Sequence, residues 1–565
     1  MARTTDNAFE DVRRTSEIIA ANPAAVEDVK LGEENKEVDH LEIQPDGALR
    51  KGGTPNPFSL RNIGLLMQYV AIGVIYASLY AVVYPAFTVY LRMEGYITAS
   101  IYILIVLPYT LKAFIGIITD CYPIFGYRRR PYMVIGWTIC FVCCLVMACI
   151  DIGPPYYPDP SWADIGDDAL TDDQKAQLNT DAASESTRYV LLMILANLGS
   201  VIAFTASDGI LVELSQKESE DVRGSTQTMV YVVQDLFKII GTAIVGFGLN
   251  SADYGGDFDR SIGLQGVMGI NAFFAFMAIP ASWFLITEEK SEPQEFKKYA
   301  TQFFELLKHR AVYQLLAFRF FYNLFAWVYA TSSSPVQSSW AEVEPMTSSV
   351  TTILGNFISA AALYSIKRWG LNWDWWWMLI ICQVTVVLID CIPTYLTIWD
   401  VFRNQWFWLG VPLVADIPDA IGYIVTTYAA LEIIEVGAES ATYGLITSVS
   451  TLASPFATVV TKAIGNGFTV DYTTIQSDTT FARRQVSFQY LVCYCMNLLA
   501  LMFLPLLPRQ KAAMQALKAK GGKSTGMAWF ITIAALLLFI WCVMVNLFSI
   551  FDSTSCLKLA GGSGC

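Results

Sequence analysis

The chain has 565 residues, of which 54% are hydrophobic and only 15% are charged, and its formal net charge is −13. Soluble domains usually carry about 25% charged residues, so this composition is typical of a protein that crosses a lipid bilayer several times. The negative charge argues against nucleic acid as a partner, because nucleic acid attracts basic surfaces.

The sequence offers little material for metal or catalytic sites. Its two histidines, His40 and His309, both lie outside the apolar segments. Cys140 and Cys143 have the spacing of half a metal site, but no second pair or histidine matches them, so we interpret them as small apolar residues of a membrane helix. We therefore predict no metal and no cofactor. No Ser/His or paired-Asp signature indicates an enzyme.

In chain order, residues 1–58 are polar and charged, which predicts a disordered tail rather than a signal peptide. Apolar segments follow, and each is long enough for a helix across a hydrocarbon core of about 30 Å. They number thirteen and lie near residues 63–88, 98–119, 131–150, 189–213, 227–249, 263–286, 311–332, 346–366, 375–397, 406–433, 443–465, 486–507 and 527–550.

The first twelve segments divide into two halves. A six-helix half over 59–286 and another over 311–508 are joined by an amphipathic linker, 287–310, which we expect to lie on the membrane surface. A basic segment, 509–525, leads to an extra helix and short tail, 526–565. A weak repeat, residues 211–228 and 431–448, supports the division: Glu213 and Glu432 near helix ends precede Gly224 and Gly444 by eleven or twelve residues. Repeated halves around a central site are the usual architecture of secondary transporters.

Charged loops orient the chain, because loops rich in Lys and Arg stay in the cytosol. Three arginines, 128–130, follow the second segment; the linker and residues 509–525 are also basic, whereas residues 151–187 are acidic. These loops predict a cytosolic N-terminus. Since no targeting signal is visible, the plasma membrane is the default location.

One basic loop carries a recognisable pattern. Gly116-x-x-x-Asp120 followed by Gly126-Tyr127-Arg128-Arg129-Arg130 resembles the loop signature of the major facilitator superfamily. The longer run from Pro108 to Tyr132 resembles the folate–biopterin transporter family, and Glu439-x-x-Thr442-Tyr443, with Gly437 before it, is similar to another stretch of that family. The resemblance covers residues 60–508 or so.

The resemblance implies an all-α integral membrane protein, namely a 6+6 helix bundle with pseudo-twofold halves and an extra C-terminal helix. It also implies a secondary active transporter that moves folate or biopterin by alternating access. We expect a monomer. Two alternatives remain open: a symporter of the same fold for a sugar, nucleoside or amino-acid derivative, and a membrane receptor that transports nothing.

Charges inside membrane segments cost about 2.5–3.5 kcal/mol on insertion scales, so they are the first candidates for function. A folate-like ligand needs cations for its carboxylates and an acid for its ring. Candidate substrate-binding residues are Lys112, Arg319, Lys238, Asn323 and Asp208. Candidate proton carriers are Asp208, Asp235 and Asp416. Instead of binding substrate or protons, Asp235 and Lys238 can form a structural ion pair on one helix face. Asp416 and Asp419 can instead be solvated near the outer mouth, without a role in transport.

The arginine loop is interpreted as an inner gate latch that stabilises an outward-open state. Its arginines can reach Asp120 or acidic helix ends nearby, and Gly126 permits a tight turn. The predicted gating residues are Gly116, Asp120, Gly126, Arg128, Arg129, Arg130, Glu213 and Glu439.

Overall fold

The structure is a computed structural model that describes residues 44–548, except residues 94, 163–169, 181, 183–186, 257, 344 and 471. The predicted tail therefore lies mostly outside the described residues, as do residues 549–565. The described helices all lie in one unit of the chain, which begins at Ile43.

The first half contains seven labelled helices, because prolines interrupt its apolar segments. A 3₁₀ turn at Leu107–Leu111 contains Pro108 and divides the second span into α2 and α3. A proline has no N–H for the helix ladder, so such a break is expected there. The helices are α1 (Ile63–Ala81, extended by a π-helical turn, Tyr84–Tyr90), α2 (Gly95–Val106), α3 (Lys112–Cys121), α4 (Arg130–Cys149), α5 (Thr187–Ser215), α6 (Ser225–Gly248) and α7 (Gly263–Pro280, extended by Ala281–Leu285).

The linker contains the amphipathic helix α8 (Phe296–Lys308), and the second half follows it. Its helices are α9 (Arg310–Ala326), α10 (Pro345–Ser365, extended by Ile366–Gly370), α11 (Trp375–Ile398), α12 (Asp416–Ile433), α13 (Glu439–Gly465) and α14 (Thr480–Leu499, extended by Ala500–Leu506). The chain then forms α15 (Lys511–Lys520) and α16 (Thr525–Phe548). Short helical pieces are Asp172–Lys175, Ala252–Tyr254, Ser333–Ser339, Gln405–Gly410, Pro412–Ala415 and Tyr472–Gln476.

Twelve helices in the described ranges are long and apolar enough to cross a membrane, and α16 is one of them. The segment expected over 311–332 is shorter than predicted: α9 has 17 residues, ends at Ala326 and is not among the twelve. The other predicted spans correspond to helices with shifted ends. The all-α membrane fold is confirmed.

Close helix packing within the first half depends on small residues. A side chain on Gly136 of α4 would come within 2.5 Å of the carbonyl oxygen of Gly199 on α5, and one on Gly199 would come within 2.6 Å of that of Gly136. Small residues are the usual means by which membrane helices approach closely. Here they bring α4 and α5 into close backbone contact.

Residues 44–50, which we call the strap, differ from the predicted disordered tail. Ala48 and Leu49 are each only 3% exposed. The backbone N–H groups of Leu49 and Arg50 both donate to the carbonyl oxygen of Gln216, at 3.0 Å. The strap contains no long apolar run, so composition gave no sign that two apolar side chains would be buried.

The final helix, α16, packs against both halves. The ring of Phe539 lies 5.5 Å from that of Phe114 on α3, and the ring of Trp541 lies 4.2 Å from that of Phe456 on α13, measured between centroids. Phe114 belongs to the first half and Phe456 to the second. The extra helix therefore covers one seam between the halves.

Candidate functional site

A cavity of about 1020 Å³ lies between the two halves. Helices from both halves contribute to its wall, and the wall is rich in tyrosine and in charged side chains. Its principal lining residues are Tyr76, Lys112, Tyr231, Asp235, Lys238, Arg319, Asn323, Asp416, Asp419, Tyr423 and Tyr443. Of the five predicted substrate-binding residues, four therefore line one cavity, and Asp208 lies behind the wall.

Lys112 and Asp208 form a buried ion pair. The Lys112 Nζ lies 2.6 Å from the Asp208 Oδ2, and the Tyr69 hydroxyl donates to the Asp208 Oδ1 at 2.7 Å. The same ammonium lies 3.6 Å from the centroid of the Phe204 ring. Because a carboxylate already compensates Lys112, this lysine offers a ligand less free charge than its position alone suggests.

Lys238 and Asp235 are also paired, at 2.8 Å, one helical turn apart on α6. The other oxygen of Asp235 accepts a hydrogen bond from Ser359 of α10 at 2.9 Å. Both side chains line the cavity, and the hydrogen bond from Ser359 links the pair to the second half.

Arg319 is different, because it lacks an acidic partner. It is 4% exposed, and its Nη1 donates to the Thr426 Oγ1. Its Nε has no acceptor, and it forms no ion pair with any residue that the structure describes. A buried, uncompensated cation is costly, so the site favours a bound anion.

Two carboxylates, Asp416 and Asp419, line the same cavity and form no ion pair within the described part of the chain. A side chain on Gly355 of α10 would fall 2.3 Å from the Asp416 Oδ2, so the glycine makes room for this carboxylate. Among its described lining residues, the cavity thus combines one unpaired cation with two unpaired acids.

At one end of the bundle, which we call the arginine end, Arg129 is the centre of a buried charge cluster. Arg129 is 1% exposed, and its guanidinium pairs with Asp120, with Glu439 at 3.0 Å and with Glu213 at 3.6 Å. Asp120 also accepts hydrogen bonds from the Ala441 N–H at 2.9 Å and the Tyr299 hydroxyl at 3.1 Å. The cluster connects the first half, the linker and the second half.

The two neighbouring arginines have other contacts. Glu288 accepts hydrogen bonds from the backbone N–H groups of Arg128, Arg129 and Arg130 at 2.7, 2.9 and 3.1 Å. The Arg130 guanidinium donates to the Ile286 carbonyl oxygen and lies 4.9 Å from the centroid of the Tyr127 ring. These contacts attach the loop to the start of the linker. Only Arg129 among the three enters the charge cluster.

Both predicted glycines have a steric role. Gly126 has a φ of 83°, a conformation that favours glycine and permits the tight turn. A side chain on Gly116 would come within 2.5 Å of the Ser440 carbonyl oxygen and 2.6 Å of the Ala441 Cα. Helix α3 therefore meets the start of α13 in direct backbone contact, which closes the arginine end.

Sequence reasoning missed two further ion pairs at this end. Arg50 of the strap pairs with Glu439, and its Nε donates to the Gln216 side chain at 2.8 Å. Arg223 binds both oxygens of Glu432, at 2.6 and 2.7 Å. Nothing in the sequence around Arg50 pointed to this contact. Arg223 lies in the repeated stretch after span 4, which was a usable signal.

Comparison with known proteins agrees with this architecture. Residues 73–153 match the BT1 family. A folate-biopterin transporter of Synechocystis is 22% identical over 357 residues, which cover 61% of this chain and 63% of that protein. A probable folate-biopterin transporter 4 of Arabidopsis thaliana is 24% identical over 144 residues, 26% of this chain and 23% of that protein. The chain thus matches less than two thirds of the length of either relative.

Among solved structures, the proton:xylose symporter XylE bound to 6-bromo-6-deoxy-D-glucose aligns with a TM-score of 0.53 at 14% identity, over 81% of this chain and 98% of that one. A D-xylose-proton symporter aligns with a TM-score of 0.52 at 13% identity, over 79% and 97%. At these identities the likeness shows the fold alone. The predicted resemblance is therefore confirmed: the chain is similar to the BT1 family over residues 73–153 and to folate–biopterin transporters, and it has the major facilitator fold.

Proposed function

We propose that this protein is a secondary active transporter for folate-type pteridines that works by alternating access. The observation that carries the proposal is Arg319, a buried cation without a carboxylate partner in the wall of a large cavity between two helical halves. The fold and the similar proteins support a membrane carrier as the kind of protein. The folate-biopterin transporters among those proteins support a pteridine as the substrate.

The cavity has the chemistry that such a ligand needs. Its volume of about 1020 Å³ lies at the upper end of the range of small-molecule sites, which is about 300–1,000 Å³. Tyr76, Tyr231 and Tyr423 offer aromatic surface for a planar ring, while Arg319 offers a planar fork for a carboxylate. Asn323 provides a neutral donor and acceptor beside them.

Alternating access requires that one end of the cavity be closed at a time. The arginine end is closed by the cluster around Arg129 and by the ion pairs of Arg50 and Arg223. The charged loops favour a cytosolic position for this end, so we assign the conformation to the outward-facing side of the cycle. We retain the plasma membrane and a monomer as parts of the proposal.

We include proton coupling in the proposal because an anionic substrate must move against the membrane potential. A dianion that enters against an inside-negative potential of 100 mV costs about 4.6 kcal/mol, which two protons would cancel. Among the three predicted proton carriers, Asp208 and Asp235 already have lysine partners, whereas Asp416 has none in the described residues. We therefore propose that Asp416, with Asp419 beside it, takes up the proton.

Uptake of labelled folate and biopterin by a transport-deficient host tests the proposal. Wild-type protein should take up at least one compound, faster at acidic external pH, and Arg319→Gln should abolish folate uptake at equal expression. Absence of uptake by well-expressed wild type would reject the pteridine assignment, and uptake insensitive to pH and uncouplers would reject proton coupling.

A further inference from the structure

A second, smaller cavity lies within the second half alone. Its volume is about 330 Å³, and residues after α9, on α11, on Gln405–Gly410 and on α14 line it. It adjoins the large cavity, because Leu409, Pro412 and Asn497 border both.

The wall of this chamber combines one carboxylate with aromatic rings. Asp390 of α11 is the acid, and its Oδ2 accepts a hydrogen bond from the Tyr494 hydroxyl at 2.7 Å. Tyr329, Trp408 and Tyr490 complete the aromatic part, and the rings of Tyr490 and Tyr494 lie 5.9 Å apart. None of the described lining residues is basic.

Two oxygen atoms of this wall remain as hydrogen-bond acceptors for a ligand. The amide nitrogen of Asn497 donates to the carbonyl oxygens of Phe325, Ala326 and Val328 at 2.9–3.0 Å, so its hydrogens are used and its oxygen is left over. Asp390 forms no ion pair within the described ranges, and its second oxygen is also an acceptor. Both oxygens carry negative charge or partial charge, so the site matches a ligand that carries positive charge.

We propose that this chamber binds a small organic cation, a protonated amine or a quaternary ammonium group. Tyrosine and tryptophan rings attract such cations through their π faces. The cation would compensate a carboxylate that is otherwise costly inside a membrane bundle. The volume of about 330 Å³ lies at the lower end of the range of small-molecule sites, which is about 300–1,000 Å³. An inorganic ion such as Na⁺ would instead gain little from the aromatic wall.

Thermal unfolding of the purified full-length protein tests this proposal. Because it needs no transport assay, its outcome does not depend on the proposed transport function. Tetramethylammonium chloride should raise the midpoint saturably, whereas sodium chloride at equal ionic strength and the neutral analogue tert-butanol should not. Asp390→Asn should weaken the apparent affinity for tetramethylammonium by about tenfold or more. The control Asp259→Asn, at an exposed acid that lines neither cavity, should leave it unchanged.

Trp408→Leu keeps the carboxylate and should also weaken binding, so the test survives if Asp390→Asn fails to fold. Equal stabilisation by sodium would overturn the organic-cation assignment. Unchanged affinity in both the Asp390 and Trp408 variants, or no saturable effect on wild type, would overturn the site itself.

Discussion

The Arg129 guanidinium and the Glu439 carboxylate meet at 3.0 Å, although 310 residues separate them in the chain. One belongs to the loop after α3 and the other to the first residue of α13. Since Asp120 and Glu213 share the same guanidinium, a single buried charge holds acids from both halves. Opening of the arginine end must break this cluster.

Asp120→Asn should slow transport while leaving folate binding largely intact. The substitution removes a carboxylate that pairs with Arg129 and anchors the start of α13, and loss of one partner of a buried pair costs about 3–5 kcal/mol. Uptake rate and equilibrium binding, measured on the same variant, check this expectation. Lost folate binding with intact gating would show that the loop contacts substrate instead of gating.

Arg50→Ala should loosen the arginine end, because Arg50 connects the strap to Glu439 and Gln216. Cys121, which is 0% exposed, reports this opening. Its alkylation by a thiol reagent, followed by mass spectrometry of the peptide, should become faster in Arg50→Ala. Lys51→Ala is the matched control, since Lys51 is exposed, and should leave the rate unchanged. Equal rates in both variants would mean that the strap has no role in closure.

Lys112 and Asp208 should show strong coupling in a double-mutant cycle. Lys112→Met alone leaves the Asp208 carboxylate buried without its cation, which should lower the free energy of unfolding by about 3–5 kcal/mol. Lys112→Met with Asp208→Asn should recover most of that loss, because the Tyr69 hydroxyl can still donate to the amide oxygen. Additive losses, measured by unfolding in detergent, would show that the two charges act independently.

Asp478 predicts a pH dependence at the opposite end of the second half. Burial alone would raise the pKa of this carboxyl, but hydrogen bonds and charge from Arg483 and Arg403 outweigh it and hold the pKa well below its usual range. Arg403 and Arg483 each bind both of its oxygens, at 2.8–2.9 Å. Because this pKa is lower in the folded state, the ionised carboxylate stabilises the fold at pH values above the unfolded pKa of about 3.9. That stabilisation is lost as the pH falls below this value.

Asp478→Asn should therefore lower the midpoint of thermal unfolding at pH 7, by an amount equivalent to about 1 kcal/mol. The difference from wild type should shrink as the pH falls below about 4. Unfolding curves of both proteins from pH 7 to pH 3 measure it. A difference that persists unchanged at low pH would mean that the carboxylate charge is not the cause.

The sequence predicted contacts that are local or carried by a known motif. Asp235 and Lys238 are three residues apart on one helix face, so their pairing could be anticipated from spacing alone. The contact of the arginine loop with Asp120 could be anticipated because it follows the family pattern. Thirteen helices could be located because a membrane span requires a long apolar run. The end of α9 could not, because apolar residues continue after the helix stops at Ala326.

Contacts between distant segments could not be derived. Lys112 and Asp208 are 96 residues apart, and their pairing depends on the rotation of two helices that hydrophobicity does not specify. The two glycines of the weak repeat have different positions: Gly224 precedes α6 with a φ of 100°, whereas Gly444 lies inside α13, and Gly437 is the glycine with a positive φ between α12 and α13. Gly444 instead lets α13 approach the Lys112 backbone, where a Cβ would lie 2.6 Å from its oxygen.

Equilibrium binding of folate to the purified protein tests the central claim, that Arg319 receives an anionic group in the cavity. Wild type should bind saturably, Arg319→Gln should bind at least about thirtyfold more weakly, and Arg319→Lys should fall between them because it keeps the charge but loses the planar fork. Folate affinity that is equal in wild type and in a well-folded Arg319→Gln variant would contradict the account.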